Sequence, residues 1–256
     1  MENKKGWIIT ISILILIIIG LSTFIAYDKG LIIKKKETSE IVINDISIDL
    51  NAYHEIGKTL DVFDRAFNNK NTSYYGYVYN SKKIIVENFD IKAALYVSVY
   101  KYLVGTNNLQ YINANRVKKD FEKIFGPNLK YVKSDIEVSK DFAVKYDTEN
   151  NVYYYQLTPF IDEEYGYQTV NIKTKLENDK VVITRKVYYL ETDEKNAYIY
   201  KDASKSNLIG TVTNTKKSVS SSEIISKYGS KLKTYKYIFK QNNNYYNLYS
   251  IEQVEK

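Results

Sequence analysis

The sequence predicts an α+β protein: an N-terminal transmembrane helix, then helices packed on one face of a curved antiparallel sheet. Three observations carry that expectation. Residues 6–27, GWIITISILILIIIGLSTFIAY, hold no charged side chain. Residues 45–67 and 113–128 place apolar side chains three and four positions apart, as amphipathic helices do. After Pro127 the character changes to strands, and stretches such as YQTVNIKTKLE show the spacing of two expected of half-buried antiparallel strands. Helices followed by a strand meander define the α+β class.

The charge-free run is bracketed by Trp7 and Tyr27, 21 residues inclusive. At 1.5 Å rise per residue that helix spans about 31 Å, matching a hydrocarbon core of about 30 Å. The two aromatics suit the two membrane interfaces. A cleaved leader would need small residues before the cut, yet a cut after Ala26 places Phe24 three positions back. The expected organisation is therefore a cytoplasmic tail (1–5), an uncleaved anchor (6–27), a linker (28–44) and an extracytoplasmic α+β domain (45–256). Lys4 and Lys5 ahead of the apolar run put the N-terminus inside, although Lys29 and Lys34 to Lys36 lie on the other flank.

In the domain, Ile46, Leu50, Tyr53, Ile56, Leu60, Phe63 and Phe67 form one helical stripe. Gly57 interrupts it at about 1 kcal/mol relative to Ala, which predicts close approach by another element. SYYGYVYN and KIIVE around Asn80–Ser81–Lys82 read as a β-hairpin. Tyr75, Tyr77 and Tyr79 would then share one face of a strand. NFDIKAALYVSVYKYL fits a helix by Ile91, Leu95 and Tyr102, and a strand by the alternation of its tail. Val117, Phe121, Ile124 and Phe125 make a cleaner helix, with Asn113 or Asn115 as cap and Gly126–Pro127 as stop. Next, YQTVNIKTKLE puts Val170, Ile172, Thr174 and Leu176 on one face, and Asn178–Asp179 turns it into KVVITRKVYYL. NAYIYKD, LIGTVT and a helical turn or two in SVSSSEIISKYG follow. KLKTYKYIFK and YYNLYSIEQ form a last hairpin.

Composition narrows the chemistry. The chain is 44% hydrophobic and 26% charged, too apolar for disorder. Net charge is +7, of which residues 1–36 supply +4 through six lysines against Glu2 and Asp28. The remainder is close to balanced. Only Arg65, Arg116 and Arg185 accompany the 34 lysines, so the arginine-rich surface that nucleic acid requires is missing. Abundant Lys, Ile, Asn and Tyr with scarce Arg is also what an AT-rich genome writes. With no Cys and one His (His54), disulfides, thiol nucleophiles and transition-metal sites have no basis, and no cofactor is expected. No Walker or Gly-x-Gly-x-x-Gly loop occurs. Ser230 and Lys233 match Ser-x-x-Lys without the companion motifs of penicillin-binding proteins. Asp162, Glu163 and Glu164 are the one acid cluster that could serve a hydrolase or calcium.

The anchor GWIITISILILIIIGL, the helix ending KIFGPN and the final hairpin YKYIFKQNNNYYNLYSIE together resemble a layout found in low-GC Gram-positive bacteria. In it, an NTF2-like or cystatin-like ectodomain stands behind a single membrane helix. That resemblance is to a layout and covers roughly the C-terminal half. It implies a fold that hosts enzymes, binders and spacers alike.

The expected function is a membrane-anchored extracytoplasmic binding or interaction domain, not an enzyme. Its partners would be the lipid bilayer through residues 6–27 and an envelope protein or cell-wall component. Two alternatives stand beside it. One is a cell-wall hydrolase using Asp162 to Glu164. The other is a glycan-binding module using the Tyr75, Tyr77 and Tyr79 face.

Overall fold

A computed structural model describes residues 50–103, 106–157, 166–214, 219–243 and 245–255. The expected anchor, with Trp7 and Tyr27, and the acids Asp162 to Glu164 lie outside those residues. Among the described residues no helix is long and apolar enough to cross a membrane. They belong to one unit, residues 41–256.

The class is α+β: four helices and two antiparallel sheets among the described residues. Helix α1 (Leu50–Asn68) buries Ile56, Leu60, Phe63 and Phe67, the stripe its spacing predicted. Tyr53, one turn earlier, stays exposed. Gly57 is exposed too, and a side chain there would meet nothing within 4 Å. The close approach expected at Gly57 is therefore absent, and this glycine only weakens an outward helix face.

Residues 70–90 depart from the predicted hairpin. Gly76 takes φ 66°, a left-handed turn that breaks any strand, and Tyr77–Tyr79 form a single 3₁₀ turn. Strand β1 (Lys83–Ile85) pairs with the distant C-terminal strand instead of its sequence neighbour. Alternation in the sequence misled because the glycine between the tyrosines reverses the chain.

Helix α2 (Ile91–Tyr100) resolves the helix-or-strand choice. The Asp90 side chain accepts the Ala93 N–H at 2.8 Å, an N-cap. Every residue from Ala93 to Val99 is buried, so α2 is a core helix without a polar face. After β2 (Thr106–Asn113), helix α3 (Ala114–Phe125) is capped by Asn113 and stopped at Gly126, φ 66°. Asn247 Nδ2 donates to the last-turn carbonyls of Glu122 and Lys123 at 3.2 and 2.7 Å. Phe63, Phe67, Phe89, Phe121 and Phe125, with ring centres 5.0 to 6.4 Å apart in contacting pairs, join α1, the turn that leads into α2, and α3.

Strands β3 (Ile136–Glu137), β4 (Ala143–Asp147) and β5 (Val152–Leu157) complete a four-stranded sheet, ordered β2-β5-β4-β3. The larger sheet contains β6 (Gly166–Glu177), β7 (Lys180–Thr192), β8 (Asn196–Tyr200), β9 (Leu208–Thr213), β10 (Lys233–Asn242) and β11 (Tyr245–Gln253). Its order is β1-β11-β10-β7-β8-β9, with β6 along the other edge of β7. β7 meets β10 over Lys180–Val187 and then β8 over Tyr189–Thr192, so one long strand carries two neighbours in succession. Helix α4 (Ser221–Tyr228) covers a separate small cluster built on Tyr188, Leu190, Ile199 and Val212.

The turn at Asn178–Asp179 forms as predicted, with Asn178 at φ 58°. The predicted face of β6 does not hold throughout. A bulge between Asn171 and Lys173 flips the strand, so Leu176 packs on the main core and Val170 on the α4 cluster. Before the bulge, Tyr167 and Thr169 point toward α1 and the segment Tyr75–Tyr79.

Candidate functional site

The sequence placed a ligand face on Tyr75, Tyr77 and Tyr79. The structure turns those rings inward. Tyr79 is buried, packed on Tyr167 at 4.7 Å and Tyr235 at 6.1 Å. Tyr77 lies against Phe67 and Phe89, and its hydroxyl accepts the Asp90 N–H at 2.9 Å. Tyr75 packs on Tyr167 at 5.5 Å. Burial raises the pKa of all three hydroxyls. They are core side chains, and no exposed shelf exists at 75–79.

An outward aromatic face does exist, on the smaller sheet. In β2, Ile112 points into the core, while Leu109 and Tyr111 point out and are 46% and 64% exposed. In β5, Tyr153 and Tyr155 are buried, which leaves Tyr154 on the outer side. Tyr111 and Tyr154 are direct cross-strand partners, their ring centres 6.5 Å apart and tilted 41°. Leu109, Tyr111, Tyr146, Tyr154 and the β4–β5 turn residues Asp147 to Glu149 line a cavity of about 410 Å³. The turn is fixed by Asp147 Oδ1, which accepts the Glu149 and Asn150 N–H groups at 2.9 and 3.1 Å. Asn150 adds a side-chain bond at 2.7 Å, and these bonds, led by that of Asn150, hold the Asp147 pKa below the usual carboxylate range.

β2 also lies at the edge of its sheet, and its sequence TNNLQYIN has no charge and no proline. Edge strands are ordinarily blunted by Lys, Pro or cover from another element. In a chain with 34 lysines the lack of one here is the more noticeable. The face was not legible from the sequence, because Tyr111 and Tyr154 are 43 positions apart and meet only through register.

Other candidate residues are placed as follows. His54 is exposed on α1 beside Glu55. Ser230 is exposed in the turn before β10, and the Lys233 ammonium faces Asp202 rather than a nucleophile. Among the described residues, no group of three or more His, Asp or Glu side chains gathers as metal ligands. Every described carboxylate with a resolved pKa shift is shifted downward, by hydrogen bonds and neighbouring lysines. A general acid at neutral pH needs the opposite shift.

Among the described residues, the most buried ion pair joins α1 to the large sheet. Arg185, 4% exposed, donates from both terminal nitrogens to Asp64 at 2.8 and 2.6 Å. Thr169 bridges the two, and Arg185 stacks over the Tyr237 ring at 5.2 Å. Its setting is structural, enclosed by Tyr79 and Tyr237.

Comparison with protein-family models, with curated proteins and with solved structures finds no match.

Proposed function

We propose that this chain is a membrane-anchored, extracytoplasmic binding module. It engages a protein partner of the cell envelope through the outer face of β2, the terminal strand of the smaller sheet. The observation that carries the reading is the uncharged edge strand with Leu109 and Tyr111 turned outward over a cavity of about 410 Å³. A partner strand added along β2 would gain main-chain hydrogen bonds, and Leu109 and Tyr111 would bury apolar area against it. The anchor belongs to the same proposal and rests on the 21-residue charge-free run from Trp7 to Tyr27. So does the NTF2-like or cystatin-like layout, supported by helices that precede a long antiparallel sheet.

A second reading is a glycan-binding face. The Tyr111–Tyr154 pair beside Thr148 and Glu149 favours it, since flat rings stack on sugar faces while side-chain oxygens meet hydroxyls.

The two readings separate by experiment. Full-length wild type and Leu109→Ser/Tyr111→Ser would be compared for protein recovered from solubilised membranes and for retention on purified cell-wall polysaccharide. The protein-partner reading expects a partner that wild type recovers and the double variant loses, with an unchanged circular dichroism spectrum. Equal recovery by both would end it. Loss confined to the polysaccharide assay would select the glycan face.

A further inference from the structure

The order of the larger sheet ends on β9, which reads LIGTVT with no charge and no proline. Its register sets Thr211 opposite Tyr198 of β8, and Gly210 opposite Ile199. Terminal strands are ordinarily blunted by Lys, Pro, a bulge or cover from another element, because their outward backbone groups recruit further strands. A short uncharged run of high β-propensity is the kind that pairs with its own copy.

Residues of an antiparallel ladder alternate between two settings. One exchanges both backbone bonds with the residue opposite, and the next turns both groups away from it. Thr211 has the second setting, and both its groups reach α4. The Tyr228 hydroxyl donates to the Thr211 carbonyl at 2.9 Å and accepts the Thr211 N–H at 3.3 Å. A hydroxyl is donor and acceptor at once, so this one side chain meets both groups that a neighbouring strand would meet.

Gly210 makes room for the contact. A Cβ there would lie 2.3 Å from two ring carbons of Tyr228 and 2.6 Å from its hydroxyl oxygen. Any side chain at 210 would push the ring off Thr211. The glycine is needed for that clearance and not for a turn, because its φ lies outside the left-handed region. The helix carrying the ring is itself held. Ser220 Oγ accepts the Glu223 N–H at 3.4 Å as N-cap. Ile224 is fully buried among Tyr188, Leu190, Ile199 and Val212, and the Tyr228 ring packs on the same cluster. Packing alone would be met by an apolar ring at 228. It requires neither a hydroxyl aimed at the backbone of β9 nor a glycine beneath it.

We propose that Tyr228 is an edge guard: its hydroxyl stands in for a partner strand at Thr211 and keeps β9 from pairing with β9 of a second copy of this chain. Symmetry sets the partner that is excluded. A two-fold axis beside Thr211 would bring each Thr211 N–H to the other's carbonyl, an isologous antiparallel pair. Those are the two groups that Tyr228 holds. The guard acts on the larger sheet and does not rest on the β2 reading.

The chain has no cysteine, so one introduced thiol reports the pairing. Opposite residues in such a pair have Cα atoms about 5.5 Å apart, within disulfide reach. Tyr228 bonds to the Thr211 backbone, so Thr211→Cys leaves both bonds in place. On mild oxidation, full-length Thr211→Cys should stay monomeric, and Thr211→Cys with Tyr228→Ser should form a disulfide dimer. Leu208→Cys with Tyr228→Ser should not, although Leu208 is 55% exposed on the same strand. Across that axis, position 208 lies about 20 Å along the strands from its copy. Tyr228→Phe keeps the ring and removes only the hydroxyl. Hydrogen exchange at the Thr211 amide should then quicken by about two- to tenfold, the loss of one neutral hydrogen bond. That measurement decides the matter even if Tyr228→Ser does not fold. Four results would each overturn the guard: equal dimer with and without Tyr228, no dimer from a folded Thr211→Cys/Tyr228→Ser chain, as much dimer through position 208 as through 211, or Thr211 exchange unmoved by Tyr228→Phe.

Discussion

Asp64→Ala strands the most deeply buried cation of the described ion pairs. Arg185 makes two bonds of 2.8 and 2.6 Å to the Asp64 carboxylate and one of 2.6 Å to Thr169. Burial disfavours the Arg185 charge, but Asp64 more than offsets that and raises its pKa. Removing Asp64 leaves a guanidinium, 4% exposed, with Thr169 and the Tyr237 ring. Hydrogen bonds to charged groups contribute about 1.5–3 kcal/mol each, and breaking a buried pair costs about 3–5 kcal/mol. With a urea slope near 3 kcal/mol/M, the unfolding midpoint should fall by about 1 to 2 M. Urea unfolding followed by circular dichroism measures it. Asp61→Ala is the control, because Asp61 and Arg65 pair at 3.1 Å with both side chains more than half exposed. That change should cost under about 1 kcal/mol. Replacing both buried partners, Asp64→Leu with Arg185→Met, should recover much of the loss, because neither charge is left unpaired. If Asp64→Ala moves the midpoint no further than Asp61→Ala, the pair does not hold α1 to the sheet and the reasoning fails.

Two other perturbations test the packing of the helices. Glu55 pairs with Lys123 on α3 and Lys58 on its own helix, and those hydrogen bonds lower its pKa from 4.5 to about 2. A depressed carboxylate pKa adds stability above the unfolded value and loses it as pH falls through the folded one. Wild type should therefore exceed Glu55→Gln by under about 1 kcal/mol at neutral pH, because the pair is partly solvated. The gap should close as the pH drops from 4.5 toward about 2, and a gap that widens in acid would contradict the pairing. Gly126→Ala would place a Cβ 2.7 Å from Asn247 Oδ1 at φ 66°, costing about 1–3 kcal/mol in urea unfolding. Asn247→Ala removes the α3 cap and the two nearest clashing atoms, leaving its Cβ at 3.1 Å, so the double variant should cost less than the two single losses added.

What could be read in the sequence depended on whether local pattern or long-range pairing decided the outcome. α3 was legible because its cap Asn113, stripe and stop Gly126 all lie within one helix. β10 was legible as a strand of the last hairpin because it is regular and half-buried, with Tyr235, Tyr237 and Phe239 alternating on its buried side. α2 was ambiguous because burial on every side erases the polar face that reveals a period. The Tyr75–Tyr79 segment misled because a left-handed Gly76 overrides an alternating pattern. β2 escaped notice because the consecutive Asn107 and Asn108, an outward Leu109 and an irregular pairing between Thr106 and Gln110 leave no clean alternation. The cavity beside β2 was not visible, since Leu109 and Tyr111 meet Tyr146 and Tyr154 only through the sheet.

Site-specific photocrosslinking in intact cells bears on the proposed binding face. A photoreactive residue would replace Tyr111 on β2 in one variant and Tyr53, exposed on α1, in another. The proposed function predicts a discrete protein adduct from position 111 and none from position 53. No protein adduct from position 111, or the same adducts from both positions, would contradict it.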